Sequence, residues 1–181
     1  MRATGIVRRI DDLGRLVIPK ETRRIMRIRE GDPLEIFTGE NGEIVLRKYS
    51  PIGEMGQLAG EYVEAMASVF HCTVCVSDRD EIVAAAGPDK AAVLGKEIHE
   101  ELMESIEYRD NLVASKEDAR FCEIIKEPLD IYAEAISTIV CQGDAIGSVV
   151  IYTKKPDRQL GETEEKMARC GAAFLARQME Q

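Results

Sequence analysis

The sequence predicts an α+β protein in two modules. A small β-barrel, completed only when two copies of the chain interleave, precedes a larger domain with a central antiparallel sheet. Three observations predict this. Residues 1–50 hold four short β-branched runs bounded by turn residues, too little chain to enclose a core alone. Residues 51–181 alternate helical and extended patterns, with apolar stripes at helical spacing near both ends. The charge divides at the same place: eleven basic and eight acidic residues leave the first fifty at +3, whereas thirteen basic and twenty-five acidic leave the remainder at −12.

In the first module the extended runs are Thr4–Ile10, Arg15–Ile18, Leu34–Phe37 and Glu43–Tyr49. Asp12-Leu13-Gly14 makes the first turn, and Gly31-Asp32-Pro33 precedes the third run. Asn41-Gly42 is a hairpin signal, since both central residues of a type I′ turn need positive φ. Between the second and third runs Lys20 to Ile28 forms a short helix, with Pro19 suited to its first position. Ile6-Val7, Leu16-Val17-Ile18 and Ile44-Val45-Leu46 place apolar groups on both faces of their strands, so each needs a partner on each side. Two chains exchanging hairpins satisfy that need, which predicts an obligate dimer.

Arginines 8, 9, 15, 23 and 24 are threaded between these apolar residues. Nine basic residues against three acidic give residues 1–29 an excess of +6. Surface ion pairs with Asp11, Asp12, Glu21 and Glu30 cannot absorb it, and a charge split of this kind points to nucleic acid at one end of the chain. The run T-G-I-V-R-R-I-D-D-L-G-R-L-V-I-P-K-E-T-R-R resembles the swapped-hairpin DNA-binding domain of the AbrB family of transition-state regulators, over residues 1–50 almost without a gap. The resemblance implies a domain-swapped dimer on double-stranded DNA, with Arg8, Arg15, Arg23 and Arg24 as contacts and Arg9 as the neighbouring basic position. The chemistry agrees, because the planar guanidinium fork fits phosphate oxygens and guanine edges. With four arginines per chain engaged, affinity is expected to fall by roughly three to five decades between about 50 and 200 mM salt.

The second module opens on Ser50-Pro51, the serine as helix cap and the proline at the first helical position. Ile52, Met55, Leu58, Ala59, Tyr62, Val63, Met66 and Phe70 make its stripe. Strands are expected at Thr73–Ser77 and Glu81–Ala86, helical pieces at about Asp89–Leu94 and Glu97–Tyr108, and strands at Phe121–Lys126, Ile131–Cys141 and Ala145–Thr153. A last helix from about Gly161 carries Met167, Cys170, Gly171, Phe174 and Leu175 on one face. The runs S-D-R-D-E-I-V-A-A-A-G and Q-G-D-A-I-G-S-V-V-I, in this order of elements, resemble a GAF sensory domain. That resemblance implies either a small molecule held between sheet and helical segment or an oligomerisation scaffold. Its candidate walls are Ser77, Asp80, Ala85, Val93, Ile98, Ser137 and Ile139. An AbrB-like head on this tail, ending G-A-A-F-L-A-R-Q-M-E-Q, resembles a family of sporulation regulators across the whole chain. This implies a transcriptional activator or repressor whose dimers pair into a tetramer through helices of the acidic domain, where Gly56, Gly60 and Gly171 permit close approach.

Enzymatic chemistry is not expected. Cys72-Thr73-Val74-Cys75 on a strand would send its two sulfurs to opposite faces, and no second C-x-x-C exists to complete a zinc site. Gly95-Lys96 lacks the upstream glycine of a P-loop, and no serine or cysteine has a histidine and carboxylate set. The run from His99 to Glu107 reads as a solvated helix face. No cofactor and no metal are implied. No apolar run reaches the roughly 18 residues of a membrane span, and five scattered cysteines fit a reducing compartment. The chain is therefore expected in the cytoplasm, at the nucleoid. Two rival functions are an antitoxin with a toxin-binding tail and a GAF-fold thiol reductase using Cys72, Cys75 or Cys122.

Overall fold

The computed structural model describes residues 5–40 and 42–180. The chain divides into two compact units, Met1–Tyr49 and Ser50–Gln181.

In the first unit, α1 (Lys20–Ile25) follows Pro19, which takes the cap position rather than the first helical one. Arg27 (φ 53°) turns the chain out of the helix, and the Ile28 N–H closes it on Arg23 O at 2.8 Å. Then β1 (Leu34–Thr38) and β2 (Ile44–Lys48) pair antiparallel, Leu34 opposite Lys48 and Thr38 opposite Ile44. Asn41 of the expected hairpin lies outside the described residues. Gly39 bonds Glu43 across the turn, so the connection is wider than the two-residue type expected. The runs expected as strands at Thr4–Ile10 and Arg15–Ile18 are not strands in the single chain; Thr4 lies outside the described residues. A strand exists only by ladder hydrogen bonding to a neighbouring strand, and among the described residues these runs pair with none. Among the described residues of this unit Ile28 is the one buried apolar side chain, while Val7 is 84% and Val17 72% exposed.

The second unit begins with α2 (Pro51–Glu54), capped by Ser50, whose hydroxyl accepts the Gly53 N–H. The expected single helix breaks at Met55 and resumes as α3 (Gly56–Phe70). There follow β3 (Thr73–Ser77), β4 (Ile82–Ala86), α4 (Lys90–Val93), α5 (Glu100–Tyr108), β5 (Asn111–Ser115), β6 (Ala133–Cys141), β7 (Asp144–Thr153) and α6 (Glu162–Gln178). The five strands form one sheet in the order β4-β3-β7-β6-β5, every neighbour antiparallel. The β6–β7 hairpin turns on Gln142 and Gly143, both at positive φ, which matches the twist of the strands.

Each sheet face has its own core. Val74, Val76, Ala135, Ile139, Val149 and Ile151 pack against α3 and α6. Cys75, Ile136, Val150 and Tyr152 point the other way, toward Val93, Leu102, Ile106 and the Ile124-Ile125 pair. Burial on both faces makes the central strands read as continuous apolar runs. Phe121–Lys126, expected as a strand, makes a single bridge between Ile98 and Ile125. The fifth strand is instead Asn111–Ser115. On α6 the buried residues are Ala168, Gly171, Ala172, Leu175 and Ala176, whereas Cys170 of the expected stripe is exposed.

Candidate nucleic-acid interface and a cleft in the second unit

The short elements of the first unit leave the arginines between residues 8 and 24 in solvent. Arg8, Arg9, Arg15, Arg23 and Arg24 are all exposed. Arg23 and Arg24 stand in the last turn of α1, where positive charge complements the helix dipole. Arg15 is fixed by the turn before it. Asp11 accepts the Leu13 and Arg15 N–H groups on Oδ1 and the Arg15 Nε on Oδ2 at 2.8 Å. These bonds, the Arg15 backbone N–H foremost, hold the Asp11 carboxyl below its ordinary range. The Arg15 side chain is still 70% exposed, and its terminal nitrogens remain available to an anion. Arg8 donates to the carbonyl of Val7 at 3.2 Å.

The seven expected ligand-wall residues do not share one wall. Ala85, Val93 and Ile98 belong to the core beneath α4 and α5. Ser77, also buried, spends its hydroxyl on Ser148 Oγ at 2.8 Å. Asp80 sits in the β3–β4 turn. Ile139 faces the other core, against α3 and α6, and Ser137, two residues earlier on β6, shares that face and bonds Asn111 Oδ1. Strand alternation makes joint action of the whole set impossible: strand positions of opposite parity serve opposite faces.

A cleft of about 390 Å³ lies elsewhere, between α5, the start of β5 and residues 119–122, and none of the seven lines it. Its wall on α5 is Glu101, Glu104, Ser105 and Tyr108, a helical stripe. The solvated helix face read from the sequence is present, Glu101 and Glu104 both being exposed, but the cleft it borders was not foreseen. The missed signal was that stripe's spacing, with a serine set between the acids. Behind Cys122 lies Glu134, fully buried on β6, whose Oε1 accepts the Cys122 N–H at 2.6 Å while Oε2 has no partner among the described residues. Burial pushes the Glu134 carboxyl up to about 8. Burial and then the carboxylate of Glu134, with Glu101, Asp110 and Glu104 behind it, push the Cys122 thiol up to about 12. Cys75 is pushed up to about 12, by burial first. Cys72 joins the α3/α6 core and Cys75 the opposite one, so their sulfurs share neither metal nor disulfide. Thiols held protonated are poor nucleophiles, and no metal-binding group of His, Cys, Asp and Glu occurs among the described residues. No helix among them is long and apolar enough to cross a membrane.

Comparison with known proteins places these features. Residues 7–54 match the family described as antidote-toxin recognition MazE, bacterial antitoxin. Over 51 residues, 28% of this chain and 52% of the relative, the sequence is 53% identical to the transition state regulatory protein AbrB of Bacillus subtilis. The second unit is similar in fold to the GAF domain of an Acinetobacter phosphoenolpyruvate-protein phosphotransferase (TM-score 0.57, 12% identity, 70% of this chain and 82% of that one). It is also similar to a type II free methionine-R-sulfoxide reductase from Thermoplasma acidophilum (TM-score 0.51, 15% identity, 70% and 95%). Both identities are low, so these likenesses establish the fold alone. Stage V sporulation protein T of Bacillus subtilis is 48% identical over 182 residues, covering all of both chains. Residues 54–180 match the family described as stage V sporulation protein T C-terminal, transcription factor. The chain belongs to the stage V sporulation protein T family of transcription factors, with an AbrB-like head and a GAF-like tail.

Proposed function

We propose that the protein regulates transcription by gripping duplex DNA with Arg8, Arg9, Arg15, Arg23 and Arg24 of two exchanged first units. The observation that carries this is the pairing of two exposures in one short segment. Ile6, Val7, Ile10, Leu13, Leu16 and Val17 are all exposed, and so are the five arginines between and beyond them. Apolar patches of this kind are covered by a partner, and covering them with the equivalent segment of a second chain leaves the arginines outward. Phosphate contacts then set affinity, while base edges and groove shape set sequence preference. The acidic second unit is repelled by DNA and acts as the joint between dimers, bringing two heads to one stretch of duplex and raising their effective concentration. This work belongs to the cytoplasm, at the nucleoid, and needs no membrane.

The test is a gel shift at matched salt with Arg15→Ala and Arg24→Ala together. DNA binding should be lost while light scattering reports an unchanged oligomer; unchanged binding overturns the arginine assignment. A toxin-binding tail is the poorer reading. Such a tail folds on its toxin, whereas residues 51–180 already close two cores over a five-stranded sheet.

A further inference from the structure

We propose that the cleft between α5 and β5 binds a small organic cation of the alkyl diamine class. Three carboxylates line it, Glu101, Glu104 and Asp110. Neither Glu104 nor Asp110 has an ion-pair partner among the described residues. The one guanidinium in the wall, Arg120, is already held by Asp118 at 3.0 Å and by the carbonyl of Val113 at 3.3 Å, so it leaves Glu104 and Asp110 uncompensated, whereas Glu101 accepts the Glu123 N–H at 2.7 Å and lies 3.8 Å from His99 Nδ1. At the back of the acidic stripe Ser105 is 3% exposed and its hydroxyl has no partner among the described residues. Helix spacing sets it on the same face as Glu101, Glu104 and Tyr108. A buried hydroxyl left without a partner is costly, and an ammonium donates to such an oxygen and to carboxylates alike.

The class follows from charge and shape together. Separated carboxylates favour two cationic ends over one. Tyr108 and Phe121 supply apolar and π surface for the methylenes and charge between them. The volume is in the range of pockets for small ligands. A metal ion fits less well, because no group of three His, Cys, Asp or Glu side chains among the described residues converges closely enough to hold one. The field of these acids is felt inside the wall, where Glu101, Asp110 and Glu104 all help to keep the Cys122 thiol protonated. This inference is independent of the arginine contacts and is read without DNA.

The experiment is calorimetric titration of the full chain with putrescine, at ionic strength held constant with sodium chloride. Saturable binding is expected, weakened about tenfold or more in Glu104→Gln with Asp110→Asn. The exposed Glu104→Gln alone, which leaves the fold untouched, should weaken it in the same direction. Glu61→Gln with Glu64→Gln on α3 removes the same charge away from the cleft and should leave affinity unchanged. Absence of saturation up to about 10 mM putrescine overturns the proposal. So does equal weakening by the α3 pair, which would reduce the effect to general electrostatic attraction.

Discussion

Glu134 is a buried acid in the second unit whose carboxyl is costly to ionise. It lies on β6, between two neighbouring strands, wholly buried, with one oxygen bonded to the Cys122 N–H and the other without a partner among the described residues. Burial raises its carboxyl from an ordinary 4.5 to about 8. The folded protein therefore keeps a proton that the unfolded chain has lost. Its contribution to stability is fully present below about 4.5 and disappears as pH rises to about 8. The slope across that window is at most about 1.4 kcal/mol per pH unit. Glu134→Gln keeps the acceptor for Cys122 and removes the charge, so urea unfolding at several pH values should show a flatter profile than the parent. An identical profile would mean the carboxylate ionises in place. Two glycines make a second contrast at this scale. A Cβ on Gly147 would strike the backbone carbonyl of Ser77, whereas one on Gly171 would meet the ring and hydroxyl of Tyr62. Sheet backbone cannot yield, but a side chain can turn, although Tyr62 would lose its 3.0 Å bond to Met167 O. Gly171→Ala should cost about 1–3 kcal/mol and Gly147→Ala clearly more, measured by denaturant midpoint.

Elements were legible where local chemistry and tertiary demand agree. Gln142-Gly143 sits between two apolar runs and gives the longest hairpin of the sheet. Ser50-Pro51 announces a helix start, and Ser50 goes further by donating to Asp78 Oδ2 at 2.7 Å. Asp78 in turn accepts the Asp80 and Glu81 N–H groups, so the cap also ties the helix to the β3–β4 turn. Ser50→Ala should lower the stability of the second unit by about 1–2 kcal/mol, since it removes a cap and strands a carboxylate oxygen. Thermal unfolding checks this, and Ser50→Thr should recover most of the loss. Legibility failed where a neighbour decides. Asn111–Ser115 is a strand because β6 lies beside it, not because five residues with two polar ends favour one. Phe121–Lys126 carries a strand-like pattern, yet Cys122, Ile124 and Ile125 fill a core as irregular chain. The cleft was hidden for the same reason. The segment carrying Arg120 and Cys122 is held beside α5 by distant partners, Glu134 on the Cys122 amide and Glu101 on the Glu123 amide. Among the seven residues expected to line a pocket, the error was one of parity, with Ser137 and Ile139 assigned to the wrong face of β6.

At the scale of the whole molecule the two units follow opposite rules. The second closes its own cores, while the first leaves six large apolar side chains between residues 6 and 17 in solvent. If that exposure were the working state, Val17 would be an ordinary surface position, and Val17→Asp would change stability by no more than about 0.5 kcal/mol. If exchange with a second chain covers it, burial of that valine contributes about 1.5–3 kcal/mol per chain. A carboxylate in its place would add a desolvation cost to the loss. The two outcomes are far enough apart to measure. Denaturation of the full chain at two protein concentrations should show a first transition whose midpoint rises with concentration, followed by the unfolding of Ser50–Gln181. In Val17→Asp the first transition should vanish and DNA binding with it, although no arginine has been touched. Retention of the second transition shows that the damage is confined to the head. A variant that shifts DNA as the parent does would exclude hairpin exchange through this segment, and with it the account of how fifty residues present a stable cationic surface.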